Sequence, residues 1–258
     1  MSQEAERIRE RIGAPPDAVR ETLSRHGVLR AGINLSNFLL VSGRNADGGP
    51  AGVSPDMAAT LAACLGLPLR YVTYESPGKL ADAAGRDEWD VGLIGAEPQR
   101  AAVIDFTPAY TEIEATYLVP PGSPLRAVVE VDRAGRRIAV AARTAYGLWL
   151  ERNICEAELV TGADFDESYR HFVDGKLDAL AGLRPKLSED EKALPGSRML
   201  PGRFMAVQQA LGVPKASGIA LDYLRSFVAA AVAGGLVGRL IAKHHVVGLS
   251  VAEAGAGN

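Results

Sequence analysis

One arginine beside a segment of small residues is the strongest candidate for chemistry in this sequence. The segment Trp89-Asp-Val-Gly-Leu-Ile-Gly-Ala-Glu-Pro-Gln-Arg100 predicts a short buried strand, a tight turn and an arginine held close to that turn. A guanidinium is a planar fork of donors that matches the two oxygens of a carboxylate with little reorganisation. We therefore expect Arg100 and free backbone N–H groups of the turn to bind a carboxylate. The alternative is a solvated loop arginine.

A second candidate lies at a predicted strand-to-helix turn, Arg143-Thr144-Ala145-Tyr146. A helix that begins at a threonine cap presents unsatisfied N–H donors and the positive end of the helix dipole, which together attract anions. Thr144, Ala145 and Tyr146 are therefore candidate ligand-binding residues. The alternative is that Thr144 only caps its own helix.

Asparagines follow the first predicted strand, residues 28–34. Open α/β sheets bind ligands at the carboxyl ends of their strands, so Asn34 and Asn37 are candidate ligand-binding residues. Asx turns that stabilise the loop are the alternative. Tyr110 and Gln209 are weaker candidates, because a tyrosine at a strand end more often packs.

Apolar periodicity predicts an α/β fold with two lobes. Ser54-Pro55-Asp56 predicts a helix start capped by the serine hydroxyl, and Gly66 predicts the end of that helix. Alternating strands and helices predict a parallel sheet in each lobe. The predicted strands are 28–34, 69–74, 91–94, 116–119, 137–142, 177–181 and 204–209, and the predicted helices are 54–65, 79–86, 144–153, 166–173 and 222–244, the last interrupted by Gly234-Gly235.

The second lobe is predicted to be inserted into the first. The stiff stretch Pro120-Pro-Gly-Ser-Pro124 predicts a crossing between lobes. The expected division is a helical prefix at 1–27, the first part of lobe 1 at 28–119, lobe 2 at 120–203, and a return strand with the C-terminal helix at 204–258.

Composition excludes several classes of function. The 258 residues are 47% hydrophobic and carry a net charge of −3, so no global field draws the chain to nucleic acid or an anionic membrane. The sequence has no uninterrupted apolar run of about 18 residues, so we expect no membrane insertion. Cys64 and Cys155 lack CxxC or CxxH spacing, and we expect neither a metal nor a cofactor.

The ordered motifs resemble those of family-3 extracellular solute-binding proteins. They are Gly52-Val-Ser-Pro-Asp-Met-Ala, Trp89-Asp-Val, Gln99-Arg100 and Ile104-Asp-Phe-Thr-Pro-Ala-Tyr110. The resemblance covers roughly residues 28–245. It implies the type II periplasmic-binding-protein fold, with two crossing strands and a cleft that closes on a small ligand by hinge motion. It also implies that Arg100 grips the ligand carboxylate, assisted by the N–H groups of Gly95 and Ala96.

One departure from this family bears on the ligand. The family usually places an aspartate after the strand near 177–181 to accept the ligand ammonium, and this sequence has Gly182-Leu183-Arg184. Leucine cannot accept a hydrogen bond. The ligand is therefore either a carboxylate without an α-amine, with Arg184 as a second anion donor, or an amino acid whose amine pairs with another acid, with Glu114 as the nearest candidate. We favour the first interpretation, and the alternative for Arg184 itself is a solvated arginine before Pro185.

The sequence favours non-catalytic binding over catalysis. It contains no nucleophile elbow, P-loop, HExxH or strand-GxGxxG-helix pattern, and we assign no catalytic residue. A lyase of the cyclohexadienyl-dehydratase type, with Glu97 or Glu114 as general acid, and a ligand-sensing module are the alternatives. The charged N-terminal stretch is not a signal peptide. We expect a cytoplasmic protein, or a periplasmic partner of ABC-transporter membrane components if an export signal has been removed.

Overall fold

The computed structural model describes residues 3–253 and divides the chain into two compact units. Unit 1 comprises Met1–Glu112 and Gln208–Asn258, and unit 2 comprises Ile113–Val207. Unit 2 is therefore inserted in the chain between the two parts of unit 1, as predicted. The expected lobe boundaries at 120 and 203 differ from these, because a strand at Ile104–Val119 continues without interruption past the first boundary. The chain ends at 1–2 and 254–258 lie outside the described residues.

The elements follow the predicted alternation of helices and strands. The α-helices are α1 Gln3–Ile12, α2 Asp17–Leu23, α3 Val53–Leu65, α4 Pro77–Asp82, α5 Ala145–Asn153, α6 Phe165–Asp174, α7 Arg184–Ala193, α8 Leu221–Ala233 and α9 Leu236–Lys243. The strands are β1 Leu29–Asn34, β2 Gly43–Arg44, β3 Pro50–Ala51, β4 Leu69–Tyr74, β5 Val91–Gly95, β6 Ile104–Val119, β7 Arg137–Ala141, β8 Glu158–Gly162, β9 Ala179–Leu183, β10 Arg198–Met199, β11 Met205–Pro214 and β12 Ser250–Val251.

The sheet of unit 1 places two candidate segments at one edge. Its strand order is β4-β1-β5-β11, with β1 parallel to both β4 and β5 and β11 antiparallel to β5. Gly32 lets β1 approach the Trp89 ring, since a Cβ there would lie 3.2 Å from the indole. Because parallel neighbours end at the same edge, the residues that follow β1 and β5 emerge side by side.

A buried ion pair aligns β1 with β5. The Asp90 carboxylate accepts hydrogen bonds from the Arg30 backbone N–H (2.8 Å), Nε (3.2 Å) and Nη2 (2.8 Å). Both side chains are buried. The Trp89-Asp-Val motif thus fixes the start of β5, and with it the position from which the chain reaches Arg100.

The start of α3 corrects one prediction. The helix begins at Val53 with Gly52 as its N-cap at φ 146°, and the predicted cap by the Ser54 hydroxyl is wrong. Ser54 Oγ instead lies 2.7 Å from the hydroxyl oxygen of the buried Tyr110. A Cβ at residue 52 would lie 2.3 Å from the Leu40 carbonyl oxygen, so only glycine allows this approach. The predicted helix end at Gly66, in a left-handed conformation, is confirmed.

The N-terminal helices belong to the core of unit 1. Helix α1 buries Ala5 and Ile8 and packs against α3 and α8, while α2 packs against the 3₁₀ segment Lys215–Ala220. Within residues 3–253, only the stretch Lys215–Ala233 has the length and composition of a membrane span. The α8 part of that stretch buries Leu224, Phe227 and Val228 in unit 1, which is how a core helix of a globular unit is packed.

The strands of unit 2 follow the order β6-β9-β7-β8. Strand β7 is parallel to β8 and β9, and β6 is antiparallel to β9. The strands and helices of unit 2 share a buried cluster of Leu118, Ala139, Phe172, Leu177, Leu180 and Leu187. Strand β8 and helix α7 were not predicted, although Pro185 in the first turn of α7 is a helix-start signal.

Candidate functional site

Arg100 is held at the carboxyl-end edge of the unit 1 sheet. It begins the 3₁₀ turn Arg100–Ala102 that follows β5, and it is 5% exposed. Its Nη1 donates a 2.7 Å hydrogen bond to the Gly95 carbonyl oxygen. A buried guanidinium requires hydrogen-bonding partners, so the alternative of a solvated loop arginine is wrong. The turn after β5 fixes the orientation of the guanidinium, as the sequence predicted.

The turn before Arg100 has fewer free backbone N–H groups than the sequence predicted. The Ala96 N–H donates to the Gln208 carbonyl oxygen at 2.8 Å, so it is not the free donor that the sequence predicted. Antiparallel pairing with β11, which sets Gln209 opposite Gly95, extends one residue beyond the strand end and occupies this amide. Gly95 contributes its carbonyl to Arg100. A ligand-binding role of its N–H stays a prediction.

The two asparagines at and after the end of β1 have different surroundings. Asn34 Oδ1 accepts from the Ser36 N–H (3.1 Å) and the Ser36 hydroxyl (2.8 Å), so the Asx-turn alternative holds for Asn34. Asn37 Oδ1 is buried and has no hydrogen-bond partner within the described part of the chain. Of the two side chains, only Asn37 has an amide oxygen that the loop itself does not use.

Three other candidates in unit 1, Tyr110, Gln209 and Glu97, are all buried. Tyr110 is fully buried against Ser54, and burial raises the pKa of its hydroxyl, so the structure places it in the core rather than in a binding site. Gln209 is 5% exposed on β11. Glu97 is a carboxylate only 4% exposed, in the same turn as Arg100. A carboxylate this well buried is unusual in a loop.

In unit 2, Thr144 caps α5 as predicted. Its Oγ1 accepts from the Gly147 N–H at 3.0 Å and donates to the Ala141 carbonyl oxygen at 2.9 Å. The hydroxyl is therefore used by its own turn, which is the alternative given above. The N–H groups of Ala145 and Tyr146 precede the first helical hydrogen bond and have no helical acceptor.

The Tyr146 side chain belongs to the interior of unit 2. It is 3% exposed, and its hydroxyl is hydrogen-bonded to the Thr144 side chain. Burial raises the pKa of the Tyr146 hydroxyl, and the hydrogen bond to Thr144 opposes that change. Only the backbone of Tyr146, at the start of α5, keeps the role that the sequence assigned to it.

Glu114 and Arg184 pair with each other. Arg184 Nε donates to Glu114 Oε2 at 2.7 Å and Nη2 donates to the Gly202 carbonyl oxygen at 2.5 Å, while Arg203 Nη1 lies 3.5 Å from Glu114 Oε1. The register of β6 on β9 sets Ala115 opposite Leu183 and so brings Glu114 beside Arg184. The sequence treated the two side chains as alternative ligand contacts and missed their pairing.

This geometry defines a class of protein. Two α/β units, one inserted in the other and joined by β6 and β11, form the type II periplasmic-binding-protein fold. The family model of the bacterial extracellular solute-binding proteins, family 3, matches residues 30–246, and the chain belongs to this family. No curated protein matches the sequence.

Solved structures share the fold at low sequence identity. The L-cysteine receptor of Neisseria gonorrhoeae has a TM-score of 0.72 and 21% identity, and the match covers 91% of this chain and 99% of that one. An amino acid ABC transporter substrate-binding protein of Streptococcus pneumoniae, bound to L-arginine, has a TM-score of 0.69 and 18% identity, with coverages of 91% and 99%. The ancestral amino-acid-binding protein AncCDT-1, a precursor of cyclohexadienyl dehydratase, has a TM-score of 0.69 and 18% identity, with coverages of 87% and 97%.

Proposed function

We propose that this protein is a non-catalytic receptor for a small carboxylate-bearing ligand and that Arg100 binds the carboxylate. The observation that carries the proposal is the burial of Arg100, at 5% exposed, with its guanidinium anchored on the Gly95 carbonyl. An arginine fixed in this way loses little further conformational entropy when it binds an anion. Its place after β5 is also the edge at which open α/β sheets bind ligands.

The first turn of α5 is the corresponding candidate within unit 2. Its cap, Thr144, holds the turn in place through two hydrogen bonds. The N–H groups of Ala145 and Tyr146 then point along the helix axis, where the dipole favours negative charge. We assign these backbone donors, rather than the Thr144 hydroxyl, to a carboxylate.

The ligand is an organic acid rather than an amino acid in this proposal. The usual ammonium acceptor is replaced by Leu183, which is 7% exposed. Glu114, the substitute acceptor, is paired with Arg184 and Arg203. An ammonium would have to compete with these arginines for the Glu114 carboxylate. The solved relatives named for L-cysteine and L-arginine make those amino acids the necessary comparison compounds.

A calorimetric titration tests the role of Arg100. Wild-type protein is titrated with a panel of dicarboxylates, 2-oxo acids, 2-hydroxy acids and amino acids, after a thermal-shift screen has selected the compounds that stabilise it. Arg100→Met keeps an extended side chain without the guanidinium. We expect this variant to bind the best acid with an affinity lower by about 100-fold or more.

Two further variants make the result specific. Arg44→Ala removes an exposed positive charge from unit 1 and should leave the affinity unchanged. Arg100→Lys keeps the charge without the planar fork and should recover only a small part of the affinity. Retained affinity in a folded Arg100→Met protein would refute the proposal.

A lyase is the second candidate function. It is favoured by the buried Glu97 in the turn of Arg100 and by the fold shared with a precursor of cyclohexadienyl dehydratase. A buried carboxylic acid is a suitable general acid when a closed site excludes water. Incubation with prephenate, followed by chromatography of the products, separates the candidates: turnover that Glu97→Gln abolishes would make the protein an enzyme.

Family membership supports a proposal about the transport partner. We propose ABC-transporter membrane components as the partner if the protein is exported, and a sensing role if it stays in the cytoplasm. Fractionation of cells that express the native gene, with detection of the protein in periplasmic and cytoplasmic extracts, distinguishes the two.

A further inference from the structure

The side-chain oxygen of Asn37 is a buried hydrogen-bond acceptor without a partner in the described part of the chain. We infer that the ligand carries an uncharged hydrogen-bond donor, a hydroxyl or an amide, that pairs with Asn37 Oδ1. The inference rests on the proposed function, because it concerns a second group on the same carboxylate ligand. It narrows the ligand class to hydroxy acids and carboxamide-bearing acids.

The first argument is the cost of an unpaired acceptor. Asn37 Oδ1 is buried and has no hydrogen-bond partner in residues 3–253. Buried polar atoms are almost always hydrogen-bonded, and each exception requires an explanation. A ligand donor that pairs with this oxygen would recover its lost hydration, which corresponds to about 10- to 100-fold in affinity.

The second argument is that the backbone alone fixes the position of Asn37. The Asn37 carbonyl oxygen accepts the N–H groups of Leu40 (3.0 Å) and Val41 (2.9 Å), which closes the turn after β1. The side-chain oxygen contributes nothing to this turn. Asn34 shows the contrast, since its Oδ1 is satisfied by Ser36 within the same loop. Of these two asparagines, only Asn37 offers its oxygen to a ligand.

The third argument is the position in the sheet. Strand β1 lies parallel to β5, with Ile33 opposite Leu93, so the segments of Asn37 and Arg100 leave the sheet at the same edge. At the end of β5, the Gly95 carbonyl accepts from Arg100 and the Ala96 N–H donates to Gln208. Asn37 Oδ1 is therefore an unpaired, uncharged acceptor in a segment that leaves the sheet at the edge of Arg100.

The fourth argument concerns charge. An asparagine oxygen is a neutral acceptor that satisfies a hydroxyl or an amide N–H. A buried ammonium would require a carboxylate partner as well, and residue 37 is an amide rather than an acid. We therefore assign an uncharged donor, rather than an ammonium, to Asn37.

The test is a cycle of two proteins and two pairs of ligands. Wild type and Asn37→Leu are titrated by calorimetry with 2-hydroxyglutarate and glutarate, and with lactate and propionate, pairs that differ only in the hydroxyl. We expect the hydroxyl to improve wild-type affinity by about 10-fold or more, and the improvement to disappear in Asn37→Leu. Glutamate and alanine, which carry an ammonium at the same carbon, should show no such dependence on Asn37.

Stability measurements exclude a purely structural role. Asn37→Leu removes an unpaired acceptor without removing a hydrogen bond, so its melting temperature without ligand should equal or exceed that of wild type. Asn34→Leu, which breaks the Asx turn, should melt at a lower temperature. It should also lower the affinity for both members of each ligand pair by the same factor. A lower melting temperature for Asn37→Leu would mean that its amide is part of the fold, and would overturn the inference.

The outcomes separate this inference from the proposed function. If the acids bind through Arg100 but Asn37→Leu leaves the hydroxyl preference unchanged, the inference is wrong and the proposed function stands. If only the ammonium compounds depend on Asn37, the assignment of an uncharged donor is wrong. If none of the acids binds and Arg100→Met has no effect on any compound, the proposed function and the inference are both wrong.

Discussion

Removal of the Asp90 carboxylate should destabilise unit 1 far more than an ordinary ion pair would. Asp90 is 1% exposed and accepts three hydrogen bonds from Arg30, at 2.8, 3.2 and 2.8 Å. In Asp90→Asn, one acceptor becomes an N–H donor that faces the donors of Arg30, whose side chain is 4% exposed. The loss of one partner from a buried pair costs about 3–5 kcal/mol. The lower end applies here, because Arg30 Nη2 keeps the half-exposed Asp87 carboxylate at 2.6 Å. We expect a loss of about 3 kcal/mol, since asparagine keeps one acceptor.

Urea unfolding followed by tryptophan fluorescence measures this change in unit 1 alone. Trp89 lies beside Asp90 in unit 1 and is 1% exposed, while Trp149 lies in unit 2. In a Trp149→Phe background, the fluorescence therefore reports on the unit that contains the mutation. Asp222→Asn is the matched control, because Asp222 pairs with Arg225 at 3.1 Å but is 93% exposed. Such exposed pairs contribute at most about 1 kcal/mol.

A double-mutant cycle tests the physical reasoning. Arg30→Met with Asp90→Leu removes both charges, and buried pairs replaced by apolar residues of similar volume are often neutral. The double variant should therefore lose at least about 2 kcal/mol less than the sum of the single changes Arg30→Met and Asp90→Leu. A cost below about 1 kcal/mol for Asp90→Asn, or strictly additive single changes, would refute the view that this pair aligns β1 with β5.

Two further predictions concern the cap of α5 and the response to acid. Thr144→Ala should destabilise unit 2 by about 0.5–2 kcal/mol, because the Gly147 N–H loses its acceptor. Urea unfolding followed by Trp149 fluorescence measures this change, and Thr144→Ser should restore the stability. Equal stability of all three proteins would contradict the assigned cap. The hydrogen bond from Arg30, followed by that from His26, holds the pKa of the Asp87 carboxyl below its ordinary value. A lowered folded-state pKa contributes stability above the unfolded value of about 3.9 and loses it as the pH falls through the lowered pKa. The stability difference between wild type and Asp87→Asn, measured by urea unfolding across pH, should therefore be largest near neutral pH and close below about pH 4; a difference that grows in acid would reverse the assigned sign. The effect should be small, because Asp87 is 54% exposed.

The structure also explains why one family motif has its form. Trp89 and Asp90 contact β1 through an indole packed on Gly32 and a carboxylate that accepts from Arg30. A Cβ at Gly92 would lie 3.2 Å from both Leu80 and the Trp89 ring. A sequence pattern marks these positions because each needs one residue type. The position of Arg100 then follows from the strand that the motif fixes.

Local features of the chain were predictable from the sequence. The bounds of β1 and β5, the end of α3 at Gly66, the cap of α5 at Thr144 and the interruption at Gly234-Gly235 each depend on residues a few positions apart. Apolar periodicity, capping hydroxyls and glycine conformation are properties of such short windows. The inserted second unit also followed from the order of the elements.

Contacts between distant residues were decided only by the tertiary structure. The sequence predicts Ser54 as a helix cap, but its hydroxyl is hydrogen-bonded to the Tyr110 hydroxyl. The Ala96 N–H, predicted to be free, donates to the Gln208 carbonyl oxygen on β11. Glu114 and Arg184 were predicted as separate ligand contacts, but their side chains form an ion pair with each other. Strand register and helix packing set these pairings, and a hydroxyl, amide or carboxylate can pair equally well with any suitable group that the fold brings near it. The sequence therefore determined which groups could bind a ligand, and the fold determined which of those groups its own hydrogen bonds had already used.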